Sequence, residues 1–235
     1  MNNGFDFFHN FDKHDKGVRH LVKYSKPNEN HKLMYSFPFF TVVVPTYNCL
    51  ELLKRALESV FSQTYQDFEI IVVDNSSHDE TQNFLLNIDD SRIQIIIVQN
   101  NGVIAHSRNK GIENAKGKWI AFLDADDAWK PQKLSIVTES IGKNTDTILF
   151  CHDEWLVYKG KMQNRLKYGP SSSDVYERLL FKGNFLSTSA VILLKDVAIT
   201  SGGFSEREDF AFSGFFRKFL LVTAKMTRPS SLSCE

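Results

Sequence analysis

The chain has 235 residues, 42% of them hydrophobic, with 28 basic and 28 acidic side chains and a formal net charge of +0. That apolar content supports a sizeable core and excludes global disorder. The charge balance excludes a general nucleic-acid-binding surface, which needs a basic excess. Cys49, Cys151 and Cys234 share no metal-ligand spacing, and so sparse a set suits a reducing compartment, not a disulfide framework. No run approaches 18 apolar residues, so no transmembrane helix is expected. Met1-Asn-Asn-Gly-Phe-Asp6 lacks the basic-then-apolar order of a secretory signal.

Residues 1–36 are polar and charged, with His9, His14, His20 and His31 interleaved with Phe5, Phe7, Phe8 and Phe11. The histidines have neither HxxxH nor HxH spacing, and the segment reads as a peripheral arm. Met34 stands just before the first clear strand. It is the expected functional start, which would make the preceding arm dispensable.

From residue 37 a regular alternation begins. Phe39-Phe-Thr-Val-Val-Val44 is a β-branched, apolar run and reads as a strand. Pro45-Thr-Tyr-Asn48 breaks it. Leu52, Leu53, Ala56, Leu57, Val60 and Phe61 recur at helical spacing and predict an amphipathic helix to about Ser62. Glu69-Ile-Ile-Val-Val73 is a second strand ending at Asp74, and Asp79 is a good N-cap for a helix to about Asn87. A third strand over 93–98 leads through Asn100-Asn-Gly102 to a helix ending near Ala115, closed by Gly117. Trp119 to Leu123 is then a short apolar run, as expected of a strand buried on both faces.

This β-α-β-α-β-α-β order with short loops predicts an α/β fold with a doubly wound, mainly parallel sheet flanked by helices. Ligands of such sheets sit outside the carboxyl ends of the strands. Three strand ends there are polar: Thr46, Tyr47 and Asn48; Asp74; and Asp124 and Asp126, with Asp127 following in the same cluster. Pro131 suits the first turn of the next helix, over 133–141. Beyond it the alternation loosens. One or two strands are expected over 147–157, helices over 174–181 and 195–201, and a strand over 187–194. Cys151-His-Asp-Glu154 reads as a strand leaving the core into a polar loop. This second stretch is expected to complete a cleft, not to form an independent domain.

No GxGxxG or GxxxxGK[ST] follows any strand, so the sheet does not read as a dinucleotide or P-loop fold. Without a glycine cradle, a diphosphate needs a metal to offset its charge. Asp124 and Asp126 supply the hard oxygen donors that Mg²⁺ prefers. Asp74 can accept a hydrogen bond from a base edge or cap its own loop. Tyr47 can stack on a base or serve in packing.

Four segments in order resemble the family 2 glycosyltransferases of GT-A fold. They are Thr41-Val-Val-Val-Pro-Thr-Tyr-Asn48, Ile70-Ile-Val-Val-Asp-Asn-Ser-Ser-His-Asp-Glu-Thr81, Asn101-Gly-Val-Ile-Ala-His-Ser-Arg-Asn-Lys-Gly111 and Ile120-Ala-Phe-Leu-Asp-Ala-Asp-Asp127. The resemblance spans roughly residues 38–205. Gly183 to Val191 and Gly202-Gly-Phe-Ser205 look like that family's acceptor-side half. It implies a GT-A domain over 37–213, with Pro45, Thr46 and Tyr47 lining the base and Asp74 on its edge. Arg108 would position the nucleotide sugar, Asp124 would contact the ribose or the metal-bound nucleotide, and Asp126 would ligate Mn²⁺ or Mg²⁺. The implied reaction is inverting transfer from a nucleoside-diphosphate sugar, UDP- or dTDP-linked, to a hydroxyl of a glycan or lipid-linked acceptor in surface polysaccharide assembly. The implied location is the cytoplasm, at the inner face of the membrane, with at most peripheral membrane contact.

The C-terminal end departs from that pattern. The family carries a Glu-Asp pair several residues beyond Gly-Gly-Phe, and its Asp is the general base. Glu208-Asp209 lies closer to Phe204 than the pattern asks, and Ala211 to Arg217 contains no acid. Asp209 is therefore the candidate base, and residues 214–235 read as a divergent or truncated tail. Three readings stay open: an active transferase, a sugar-nucleotide binder with impaired turnover, and a non-catalytic binding module or subunit.

Overall fold

A computed structural model describes residues 5–9, 18–23, 37–158, 160–168 and 186–206. The predicted helix over 174–181, the candidate base Asp209 and the tail 214–235 lie outside the described residues. In chain order the elements are β1 (Phe5–His9), β2 (Val18–Lys23), β3 (Phe40–Thr46), α1 (Leu50–Phe61), β4 (Phe68–Asp74), α2 (Thr81–Leu86), β5 (Ile93–Ile97), α3 (Ile104–Asn114), β6 (Trp119–Phe122) and β7 (Asp127–Trp129). Then follow α4 (Lys133–Lys143), β8 (Thr147–His152), β9 (Glu154–Tyr158), β10 (Lys161–Leu166), a 3-10 turn over Thr188–Ala190, β11 (Val191–Leu194) and α5 (Lys195–Thr200).

Seven strands form the main sheet, in the order β2-β8-β11-β6-β3-β4-β5. β6, β3, β4 and β5 run parallel, so their carboxyl ends share one rim, as the alternation predicted. β11, β8 and β2 extend the sheet antiparallel. A second sheet, β10-β9-β1-β7, packs the strand that follows Asp126 against the 154–166 hairpin. Both arm strands pair through backbone groups, β2 at an edge and β1 between β9 and β7. Backbone pairing leaves little mark in the sequence of a polar segment.

The alternation of side chains across β3, β4 and β6 divides the core in two. Val43, Ile71, Val73, Ile120 and Phe122 face α3 and α5 in one cluster. Val42, Val44, Ile70, Val72, Ala121 and Leu123 face α1 and α4 in the other. α1 presents Leu53, Ala56, Leu57 and Val60 to that second layer, at the predicted three- and four-residue spacing.

Two glycines set how closely elements approach. A Cβ on Gly111 would stand 2.2 Å from a Val43 methyl, so glycine lets α3 lie against β3. A Cβ on Gly117 would stand 2.4 Å from the Thr41 backbone nitrogen. There the buried Glu69 accepts hydrogen bonds from Thr41 Oγ1 (2.6 Å), Lys116 N–H (2.6 Å) and Gly117 N–H (3.2 Å). Pro131 differs from expectation. It lies two residues ahead of α4, and its carbonyl accepts from Thr64 N–H at 2.8 Å.

Candidate functional site

Three loops at the parallel rim are stitched together by short polar side chains. Pro45 and Thr46 end β3 and are buried, while Tyr47 is 51% exposed at the start of the loop. Asn48 has φ 47°, a left-handed conformation that asparagine tolerates. Its N–H donates to Ser77 Oγ at 2.9 Å, and its Oδ1 accepts from His78 N–H at 2.7 Å.

Asp74, fully buried at the end of β4, accepts from Ser77 N–H (3.0 Å), Ser77 Oγ (2.5 Å) and Gln82 Nε2 (2.9 Å). It therefore holds its own loop, and of the roughly four acceptor positions of a carboxylate one remains. Asn75 Oδ1 accepts from Asn100 N–H at 2.7 Å, and Asn100 Nδ2 donates to Ser107 Oγ at 2.8 Å. Asn48 was expected only as a polar strand end, and Ser77 and Asn100 only as turn residues. Their signal is small polar residues directly after apolar strands, which a turn explains equally well.

The acidic turn follows β6. It closes through Asp127 N–H to the Asp124 carbonyl at 3.0 Å. Arg108, 2% exposed on α3, directs Nη2 at both Asp124 oxygens, at 2.7 and 2.9 Å. Its guanidinium stands 5.3 Å from the Phe204 ring centre, and Phe204 meets Phe122 edge to face at 5.2 Å. Asp126 is exposed, and its carbonyl accepts from Arg55 Nη2 at 2.5 Å. The structure thus brings Arg108, Asp124 and Asp126 together beside the loops that carry Pro45, Thr46, Tyr47 and Asp74.

Behind the turn lies a buried set of ionisable groups. Lys133 Nζ donates to the Ser189 carbonyl at 2.8 Å and stands 3.5 Å from the Trp129 ring centre. Burial pushes its ammonium well below the usual lysine range, against the opposing pull of Glu154 and Asp127. Burial likewise raises the Asp127 carboxyl well above the usual range, with Asp124 adding to it and a Ser189 hydrogen bond opposing. Glu154 is raised by burial and lowered in part by Tyr168, whose hydroxyl donates to it.

Cys151 to Glu154 correct the expectation of a polar loop. All four are fully buried. Asp153 is tolerated there because Arg165 pairs with it at 3.0 Å and Tyr168 N–H donates to it at 3.1 Å. Those partners lie 12 and 15 residues further along, beyond the reach of local pattern reading.

Among the described residues, no group of three or more His, Cys, Asp or Glu side chains is arranged to hold a metal ion. The turn offers two carboxylates, one already held by Arg108. That donor set fits Mg²⁺ or Mn²⁺ with substrate phosphates and water completing the shell, not a closed protein cage. No helix among the described residues is long and apolar enough to cross a membrane.

Comparison with known proteins gives a consistent result. Residues 41–198 match the family model described as Glycosyl transferase family 2. The Escherichia coli protein WfaP, a UDP-Glc:alpha-D-GlcNAc-diphosphoundecaprenol beta-1,3-glucosyltransferase, is 31% identical over 173 residues, which are 73% of this chain and 67% of that one. The chain spans about half the length of other curated relatives that it matches. Among solved structures, S. aureus TarS 1-349 superposes with a TM-score of 0.60 at 20% identity, covering 77% of this chain and 55% of that one. The mannosyltransferase PcManGT from Pyrobaculum calidifontis, in complex with GDP-Man and Mn²⁺, gives 0.57 at 20% identity over 81% of this chain and 54% of that one. At these identities the likeness shows the fold, which is that of the GT-A glycosyltransferases.

Proposed function

Because the chain belongs to glycosyl transferase family 2, we propose that it moves a sugar, with inversion, from a nucleoside-diphosphate donor to an acceptor hydroxyl in surface-glycan assembly. The observation that carries this reading is the Arg108–Asp124 pair beside the exposed Asp126, at the carboxyl end of β6. A fixed cation–carboxylate pair next to an exposed carboxylate suits a ligand that brings both phosphate charge and sugar hydroxyls.

Tyr47 offers its exposed ring to the base, with Pro45 and Thr46 forming the floor under it. Asp74 keeps the 75–79 loop in place and has one acceptor position left for a base edge. Asp124 takes the ribose or the metal-bound nucleotide, oriented by Arg108. Asp126, with help from Asp124, holds Mn²⁺ or Mg²⁺, which offsets the charge that grows on the departing diphosphate. Positioning of donor and acceptor supplies much of the remaining rate. The proton of the attacking hydroxyl needs a base within hydrogen-bond reach, and Asp209 is the candidate.

UDP- or dTDP-linked sugars are the proposed donors. TarS is solved with UDP and with UDP-GlcNAc, and PcManGT with GDP-Man and Mn²⁺. A glycan or lipid-linked acceptor is proposed on the likeness to WfaP, whose name states a diphosphoundecaprenol-linked substrate. That acceptor class supports a reaction at the inner face of the membrane. A second reading is favoured by one sequence observation: no acid stands between Ala211 and Arg217, where the family's base is expected. In that reading the chain binds sugar nucleotides with impaired turnover.

A thermal-shift panel of nucleotide sugars with Mn²⁺ tests the binding half. Stabilisation by a UDP- or dTDP-sugar is expected. No shift with any nucleotide, together with no heat on titration with UDP and Mn²⁺, would sink both readings. Release of UDP in the presence of acceptor then separates them.

A further inference from the structure

The turn that carries Asp126 is held from outside by a serine of the 183–191 segment, to which the sequence assigned no role of its own. Ser189 is fully buried in the 3-10 turn Thr188–Ala190, just ahead of β11. Its Oγ accepts the Asp124 N–H at 2.9 Å, and the same hydroxyl faces the Asp127 carboxyl, whose pKa it helps to lower against burial. One hydroxyl therefore holds the first residue of the acidic turn and stands beside the last. Its own backbone is fixed in turn, because Lys133 Nζ donates to the Ser189 carbonyl at 2.8 Å. Lys133 is fully buried and anchored over Trp129, whose N–H donates to Ser59 Oγ of α1 at 3.0 Å.

Resting on the nucleotide-sugar reading above, we infer that Ser189 is a positioning residue. Its hydroxyl spans the Asp124–Asp127 turn and so sets where the Asp126 carboxylate stands for the cation that accompanies a nucleoside diphosphate. The geometry has three parts. The Asp127 N–H to Asp124 carbonyl bond closes the turn from within. Arg55 holds the Asp126 carbonyl and Arg108 holds the Asp124 carboxylate. Ser189 holds the backbone at the Asp124 end and faces the Asp127 carboxyl, and it comes from the 3-10 turn beside β11, opposite the loops that hold the base. Side chains that bind a cation must be kept near their productive geometry by such supporting contacts. Removing the hydroxyl leaves the Asp124 N–H without its acceptor and frees the Asp127 end to shift. The loops that carry Tyr47 and Asp74 have supports of their own, through Asn48 N–H to Ser77 and Ser77 N–H to Asp74.

The test is calorimetric titration of UDP into the full chain with and without Mn²⁺, for wild type, Ser189→Ala and Ser189→Cys. The cysteine variant keeps nearly the same volume and decides the matter if the alanine variant does not fold. The expected result is that both variants lose about tenfold or more of the affinity gained from Mn²⁺, while metal-free UDP binds within about twofold of wild type. A purely structural role would lower both affinities in proportion, and that outcome overturns the inference. An unchanged Mn²⁺ response in the variants overturns it as well. A wild-type chain that binds no UDP under either condition overturns the proposed function, and this inference with it.

Discussion

Arg108 Nη2 lies 2.7 and 2.9 Å from the two carboxylate oxygens of Asp124, and the arginine is buried while the aspartate is partly exposed. The pair joins α3 to the end of β6, on either side of Phe204 and Phe122. Removing one partner of such a pair leaves a charge without its counterpart. Arg108→Met is expected to cost about 3 kcal/mol in urea denaturation and to weaken nucleotide-sugar binding. The Arg108→Met, Asp124→Asn double variant should cost less than the sum of the single changes, with a coupling of about 1 kcal/mol or more. Strict additivity would show that the two act independently.

Asp126 offers the opposite profile. Its side chain is exposed, so Asp126→Ala should leave stability within about 0.5 kcal/mol of wild type. The same change should abolish the Mn²⁺-dependent part of UDP binding. Chelation of the metal in the wild-type protein should reproduce that loss. An affinity for UDP and Mn²⁺ equal to wild type would refute the ligand role.

Gly117 is a purely steric case. An added methyl would meet the backbone of β3 at Thr41 and Phe40. Neither backbone can move without disturbing the β3–β6 pairing. Gly117→Ala is expected to lower stability by about 1–3 kcal/mol, read from the thermal or urea midpoint, with the UDP affinity of the folded fraction unchanged.

Glu206 gives a dependence on pH. The Asn109 amide, and then His106, hold its carboxyl below the usual glutamate value. The folded pKa is thus below the unfolded one of about 4.3. As pH falls, the unfolded chain takes up the proton first, so stability falls with it. The contribution is complete above the unfolded pKa and is lost as pH drops through the folded value. Glu206→Gln should flatten this part of the stability profile between about pH 5 and pH 3. A slope identical to wild type in that window would show that Glu206 contributes none of it.

A chain beginning at Met34 tests the arm. Without Val18–Lys23, β8 becomes an edge strand of the main sheet, and without Phe5–His9 the contact between β7 and β9 is lost. The shortened chain is expected to fold and to keep its UDP response, at a lower denaturation midpoint. Loss of the far-ultraviolet signal of the α/β sheet would show that the arm is required.

The parallel half of the sheet was legible because its strands are apolar on both faces and its helices carry three- and four-residue spacing. Phe40–Thr46 and Phe68–Asp74 emerged within a residue or two of expectation. Asp79, expected as the N-cap of α2, stands one residue ahead of the N-cap Glu80, and its carboxylate accepts the Thr81 N–H at 3.0 Å. β7 was hidden, because Asp127-Ala-Trp129 is only three residues long and lies inside an acidic cluster. β10 carries only Met162 and Leu166 as apolar residues, so no alternation marks it. Of the site, Arg108, Asp124 and Asp126 were legible as types in a motif. Their mutual geometry was not, since it depends on α3 crossing to the end of β6. Ser189 fell within the 183–191 segment marked by resemblance, but its role was hidden for a related reason: a serine before an apolar strand shows no partner until that partner, 65 residues earlier, is placed beside it.

That separation along the chain has a consequence for synthesis. Residues that leave the ribosome first can pair first, and β3 to β6 need nothing beyond residue 123 to form their parallel register. The Ser189 hydroxyl arrives only after β11 has been made and has paired beside β6. A nascent chain stopped short of that strand carries the whole acidic motif without its clasp. The fixed geometry of the acidic turn is therefore among the last features this molecule acquires.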